Sequence, residues 1–190
     1  MRPVNRGRKV PKTRAVWLCA AIQCVAMTTD TTASYDTINC LQQLISISRD
    51  SEDGFREASR DVRNQDLKEL FAMIAQQRGE FGAELKRIVS SLDEDPESSK
   101  DLGGEVRLLW LELKAALSAG DEHTILFECE RGEDAAVNAY RDVLKDYNLP
   151  ADLRVMVERQ WEAVQKSHER IRHLRIVSDP AKQADSSKTQ

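Results

Sequence analysis

Four stretches of this chain, each about 25 residues long, place apolar side chains at intervals of three and four, the period of one helix face. The first, Asp36 to Val62, reads Ile38, Leu41, Ile45, Ser48, Glu52, Phe55, Ser59, Val62. The second follows Asn64, a good N-cap with Asp66 in the first turn, and reads Leu67, Leu70, Phe71, Ile74, Phe81, Leu85, Ile88 up to Ser91. Asp121 caps a third through Leu126, Cys129, Glu133, Val137, Tyr140 and Leu144. Pro150, tolerated in a first helical turn, opens a fourth through Leu153, Val157, Trp161, Val164, His168 and Ile171. Long helices are thus predicted at 36–62, 64–91, 121–146 and 150–175, each on the order of 38 Å long. Composition agrees. Only 8 Gly and 5 Pro, with aromatics at 5% and charged residues at 32%, are too few turn and strand formers for a β-sandwich, while 41% hydrophobic residues suffice for a core.

The links within the first and second pairs of runs are short, which makes each pair an antiparallel hairpin. The link from 92 to 120 is long: an acidic, Ser- and Pro-containing loop, then a helical stretch near 104–118 with Leu108, Leu109, Trp110, Leu111 and Leu113. A connection of that length can run from one end of a bundle to the other. The expected fold is therefore all-α: a ferritin-like antiparallel four-helix bundle over 36–176, with a long helical crossover between its second and third long helices. Residues 178–190 are polar and read as a disordered tail.

The head differs from the rest. Residues 1–29 hold Arg2, Arg6, Arg8, Lys9, Lys12 and Arg14 and no acid, and an apolar run follows from Ala15 to Ala26. With the chain at −4 overall, removing these six positive charges leaves a body at −10, which repels phosphate backbones and argues against nucleic-acid binding. The apolar run is too short for an integral membrane span. Two readings of residues 1–30 stand: a secretory signal, which would mean export, or sequence upstream of a start at Met27, outside the fold of a cytoplasmic protein. The second is preferred, because the patterned chain begins just after Met27.

A carboxylate on a buried stripe is costly unless it is paired, hydrogen-bonded or bound to metal, so Glu52 and Glu133 require an explanation. Glu130 lies one turn before Glu133, His168 falls on the stripe of the fourth run, and Glu84 is the best-placed acid of the second. Shifting the chain by 81 positions lays Glu52-Asp53 on Glu133-Asp134 and Arg60-Asp61-Val62 on Arg141-Asp142-Val143, so Glu52 and Glu133 hold corresponding places. If the helices pack as expected, Glu52, Glu84, Glu130, Glu133 and His168 converge at mid-bundle. Such a set resembles a carboxylate-bridged di-iron or di-manganese centre, but Gln165 stands where Glu-x-x-His would have its acid, and the second run has no histidine. The set suits at most one iron, manganese or zinc ion. The alternative is a polar core in which the acids meet Arg78, Arg131, Gln77 and His168.

Other residues direct the reading less. His123 and His173 read as exposed, and Trp110, Trp161 and Tyr140 as packing anchors. Cys19, Cys24, Cys40 and Cys129 form no CxxC pair, and Cys40 and Cys129 read as buried small hydrophobes. No phosphate loop, hydrolase elbow or Cys/His nucleophile pair is present in the sequence.

Several local runs carry a resemblance: Asp53-Gly54-Phe55, Glu84-Leu85, Leu113-Lys114-Ala115-Ala116, the segment Cys129-Glu130-Arg131-Gly132-Glu133-Asp134, and His168 with Arg172-His173-Leu174-Arg175. From Ile38 to Arg175 the chain resembles an uncharacterised bacterial family of ferritin-like four-helix-bundle proteins, classed as a domain of unknown function. The resemblance implies the ferritin-like fold and no established reaction. A non-catalytic bundle is the expected class. The alternatives are a metal-binding bundle with an oxidoreductase or metal-handling role, and an interaction module that self-associates into a homo-oligomer.

Overall fold

The computed structural model describes the backbone of residues 14–92, 95 and 104–179, and the side chains of 35–92, 95, 109 and 112–179. Among the described residues every regular element is an α-helix: α1 (Arg14–Asp61), α2 (Gln65–Ser91), α3 (Gly104–Ala119), α4 (Glu122–Asp146) and α5 (Ala151–Val177). The chain divides into two compact units, Met1–Asp36 and Thr37–Gln190. Four of the five helices begin and end within two residues of their predicted limits. The exception is α1, which starts at Arg14 and not at 36. No Gly or Pro lies between Pro11 and Gly54, so nothing in the sequence stops the helix from extending backward past its apolar stripe. How residues 1–13 and the side chains of 14–34 are placed, and the course of 180–190, lie outside the described residues, and the expectations for head and tail lie there with them.

Local chemistry explains the other ends. Asn64 Oδ1 accepts from the amides of Asp66 (3.0 Å) and Leu67 (3.3 Å), opening α2. Asp121 does the same for α4 through the Thr124 amide at 2.9 Å, and the Thr124 hydroxyl and amide hold its carboxyl below the usual carboxylate range. Gly120, at φ +72°, ends α3 in the left-handed conformation, its amide bonding the carbonyls of Ala116 (3.0 Å) and Leu117 (3.2 Å). Pro150 sits just before α5, one position earlier than predicted, and its carbonyl accepts from Arg154 N at 2.9 Å.

The core of the second unit forms two apolar clusters. One gathers Ile38 to Ile47 of α1, Phe81 to Val89 of α2, Ala136 to Val143 of α4, and Met156 to Val164 of α5. The other gathers Phe55 to Val62, Leu67 to Ala75, Ile125 to Cys129, and Ile171 of the same helices, with Leu113, Ala116 and Leu117 of α3. The order in which each helix enters the clusters fixes its direction: α1 and α5 run from the first to the second, α2 and α4 from the second to the first. Two parallel long helices that follow one another, α2 and, past the shorter α3, α4, need a connection that travels the length of the helices. Its two ends are pinned accordingly. Gln42 Nε2 donates to the carbonyl of Asp95 at 3.0 Å at one end, and Asn64 Nδ2 donates to the Glu122 carboxylate at 3.1 Å at the other. Between them, α3 lies against α1 and α4, with Lys114 Nζ 3.2 Å from Glu57 and Arg131 bonded to Glu112. Covered on that side as well, α1 buries every residue from Cys40 to Ser48 except Gln43, which is half-buried.

Candidate functional site: a polar layer between two apolar clusters

Where the apolar clusters meet, three helices change character in register. Arg78 of α2 stands between Ala75 and Phe81, Glu133 of α4 between Cys129 and Ala136, and Ser167 of α5 between Val164 and Ile171. Arg78 is 1% exposed and Glu133 fully buried. Arg78 Nη2 donates to Glu133 Oε1 (3.0 Å) and Oε2 (2.8 Å) and to Ser167 Oγ (2.6 Å), while Nη1 donates to Gln77 Oε1 at 2.7 Å. The Ser167 hydroxyl donates to Glu133, and its oxygen also lies 2.9 Å from the Val164 carbonyl. The guanidinium carbon stands 5.7 Å from the centre of the Phe81 ring. Arg78 Nε, although buried, has no partner among the described residues. A buried carboxylate is tolerable in this setting because its charge is matched and both oxygens are bonded.

A second rung lies inside the first cluster. Tyr140 OH, 1% exposed, donates to Gln160 Oε1 at 2.9 Å and stands 3.3 Å from Ser48 Oγ. Gln160 Nε2 donates to Glu84 Oε2 at 2.8 Å, and Arg159 Nη2 donates to the same carboxylate at 2.6 Å. Four helices are thereby joined by one chain of hydrogen bonds that runs from the buried Ser48 to the partly exposed Glu84. Burial pushes the Tyr140 hydroxyl up to about 12, against a lowering by the Ser48 hydrogen bond.

The five candidate residues fall at five separate places. Glu133 alone is central. Glu84 meets Arg159 and Gln160, and Glu130 meets Arg175, whose Nε bonds it and whose Nη2 lies 3.4 Å away. That bond raises Arg175 above its ordinary value, and the guanidinium also stands 5.9 Å from the Phe127 ring centre. His168 Nε2 approaches Asp134 Oδ1 at 2.8 Å, at an angle that makes no hydrogen bond. Glu52 is bonded to Arg56 one turn along α1 and presses on α2, where a Cβ at Gly79 would come within 2.9 Å of its carboxyl. The correspondence of Glu52 with Glu133 therefore does not extend to burial: one is at a helix seam, the other in the core. Among the described residues no group of three or more His, Cys, Asp or Glu stands where it could hold one metal ion.

Sequence reasoning named Arg78, Gln77 and Glu133 for a polar core and missed Ser167 there, as it missed Gln160 beside Tyr140. Neither carries a charge to announce it, and Ser48, the other partner of Tyr140, lies on the predicted stripe. Tyr140 does more than pack, because its hydroxyl links two helices. Cys129 is buried as expected, and burial, with Glu133 and Glu128 nearby, pushes its thiol far above the ordinary range.

Helices and polar layer together define an all-α protein with a charged centre in which Arg78 is paired with Glu133. Residues 36–146 match the family described as Domain of unknown function (DUF2383), and the chain belongs to that family. The matched span holds α2, α3, α4 and most of α1, so Arg78 and Glu133 lie inside it, while Ser167 and Arg175 of α5 lie beyond. No curated protein matches the chain. No helix among the described residues is long and apolar enough to cross a membrane.

Proposed function

We propose that this DUF2383 protein is a non-catalytic, ferritin-like four-helix bundle in which Arg78 supplies at the centre the positive charge that a metal ion supplies in metal-binding bundles. The observation behind this reading is the full neutralisation of Glu133 by a buried guanidinium that bonds both carboxylate oxygens. The helix directions and the long connection through α3 support the ferritin-like part. The residues present fit a bound metal poorly: Glu52, Glu84 and Glu130 each bond their own arginine, and Gln165 stands where a further acid would be needed. The competing reading is a metal-handling bundle holding one iron or manganese ion. Anaerobic calorimetric titration of the full chain with ferrous iron, then manganese, separates the two. The polar-core reading expects no tight site. One tight ion per chain, abolished by Glu133→Ala, overturns it.

A further inference from the structure

Away from the polar layer, a cavity of about 50 Å3 lies between α1, α3 and α4, walled by Ile47, Phe55, Leu109, Leu113 and Cys129. Close-packed interiors keep few voids larger than a water, and apolar walls give water few partners, so a largely apolar recess of this size suits a small apolar group. Two glycines, Gly54 and Gly132, line the cavity, and a Cβ added at Gly132 would meet no heavy atom within 4 Å. The polar side of the lining is acidic. Glu128, its side chain only 10% exposed, shares the Arg131 guanidinium with Glu112, so that among the described residues two carboxylates face one cation there. Asp50 also lines the cavity, with Arg49 at 3.7 Å.

We propose that this cavity binds a short primary aliphatic ammonium, its alkyl tail against Phe55, Leu113 and Cys129 and its ammonium on Glu128. An apolar cavity of about 150 Å3 accepts benzene, so by proportion this one takes a tail of about two to three carbons. The excess negative charge at Glu128 sets the sign of the head group, and its burial makes the pairing stronger than at an open surface. The polar layer plays no part in this site, so a failed titration here leaves the reading of Arg78 and Glu133 standing, and the reverse.

Propylammonium, 1-propanol and propionate share a shape and differ in head group, which makes them the probes. Each is titrated into the 15N-labelled full chain at low salt, following the amides of Gly54, Gly132 and Leu113. Propylammonium is expected to shift these amides with a Kd in about the millimolar range, given the few atoms it offers, with 1-propanol about tenfold weaker and propionate silent. Glu128→Gln should weaken propylammonium about tenfold and leave 1-propanol unchanged. Gly132→Leu, which fills open space, should abolish both with helix content intact. Absence of shifts at these amides, propionate binding equal to propylammonium, or an unaltered Kd in Glu128→Gln would each overturn the proposal.

Discussion

Replacing Arg78 with Met keeps most of the side-chain length and removes the charge that makes Glu133 tolerable. In the native protein Glu133 accepts from Arg78 at 2.8 and 3.0 Å and from the Ser167 hydroxyl. After the substitution only Ser167 remains, and a fully buried carboxylate faces apolar neighbours. Breaking a buried pair in this way costs about 3–5 kcal/mol, and the loss of the Gln77 and Ser167 contacts places Arg78→Met in the upper part of that range. For a chain of this size each kcal/mol moves the melting temperature by about 2–4 °C, so a loss of roughly 8–20 °C is expected. The double variant Arg78→Met/Glu133→Leu removes both charges and should recover most of the loss, because a packed apolar pair is about as stable as a buried ion pair. Urea unfolding followed by far-UV circular dichroism, with m-values checked for constancy, gives the cycle. A cost below about 1 kcal/mol for Arg78→Met, or a double variant whose loss equals the sum of the singles, would refute the idea that this pair neutralises itself at the centre.

Other expectations rest on separate contacts. Tyr140 titrates at about 12 in the folded chain and near 10 when unfolded, so its contribution is complete below pH 10 and is lost as pH rises from 10 to 12; the wild type should lose about 2–3 kcal/mol across that window by urea unfolding, and Tyr140→Phe should flatten the slope. At neutral pH the same variant, which leaves Gln160 without its donor, should be about 1–2 kcal/mol less stable than wild type. Gly132→Ala should raise stability by about 0.5–1 kcal/mol, since the new methyl meets open space inside a helix, whereas Gly120→Ala should lower it by about 1–2 kcal/mol because φ is +72°; differential scanning calorimetry reads both signs. Cys129 should stay unmodified by thiol reagents in native buffer and react fully in denaturant, as mass mapping of its peptide will show; native-state labelling at the denatured rate would contradict its burial.

Periodicity made the helices legible because each long helix must bury one face, and Asn64, Asp121 and Pro150 mark their starts with residues suited to a helix N-terminus. The start of α1 was not legible in the same way. A stripe reports where a helix packs, while its end requires a stop signal, and none stands between Pro11 and Ile38. The long connection over 92–120 showed that α2 and α4 could run parallel, since a short link would have forced them antiparallel. Glu133 could be read as a core residue from its place on the stripe, and Arg78 as one of the cations that buried acids could meet. Their pairing could not, because several arginines and several acids share the same faces, and only packing decides which guanidinium reaches which carboxylate. Glu130 illustrates this: one turn from Glu133, it turns to Arg175 at the α4–α5 seam.

The position of the charged pair has its own physical logic. Two apolar clusters stacked along the helices would tolerate sliding of one helix by a turn, since leucine and isoleucine contacts are non-directional. A single register brings Arg78 of α2, Glu133 of α4 and Ser167 of α5 within bonding distance, and any one-turn slip would leave two charges buried and unmatched. The second rung acts in the same sense. Tyr140 meets Ser48 and Gln160 together only when α1, α4 and α5 are aligned. Net stability gained from such layers is small, because desolvation offsets most of the attraction. The penalty for misalignment is large, because each slipped state leaves groups unbonded. On this account the layer selects one alignment of four long helices, and the double variant that restores stability with apolar residues should broaden its amide resonances as alternative registers become populated.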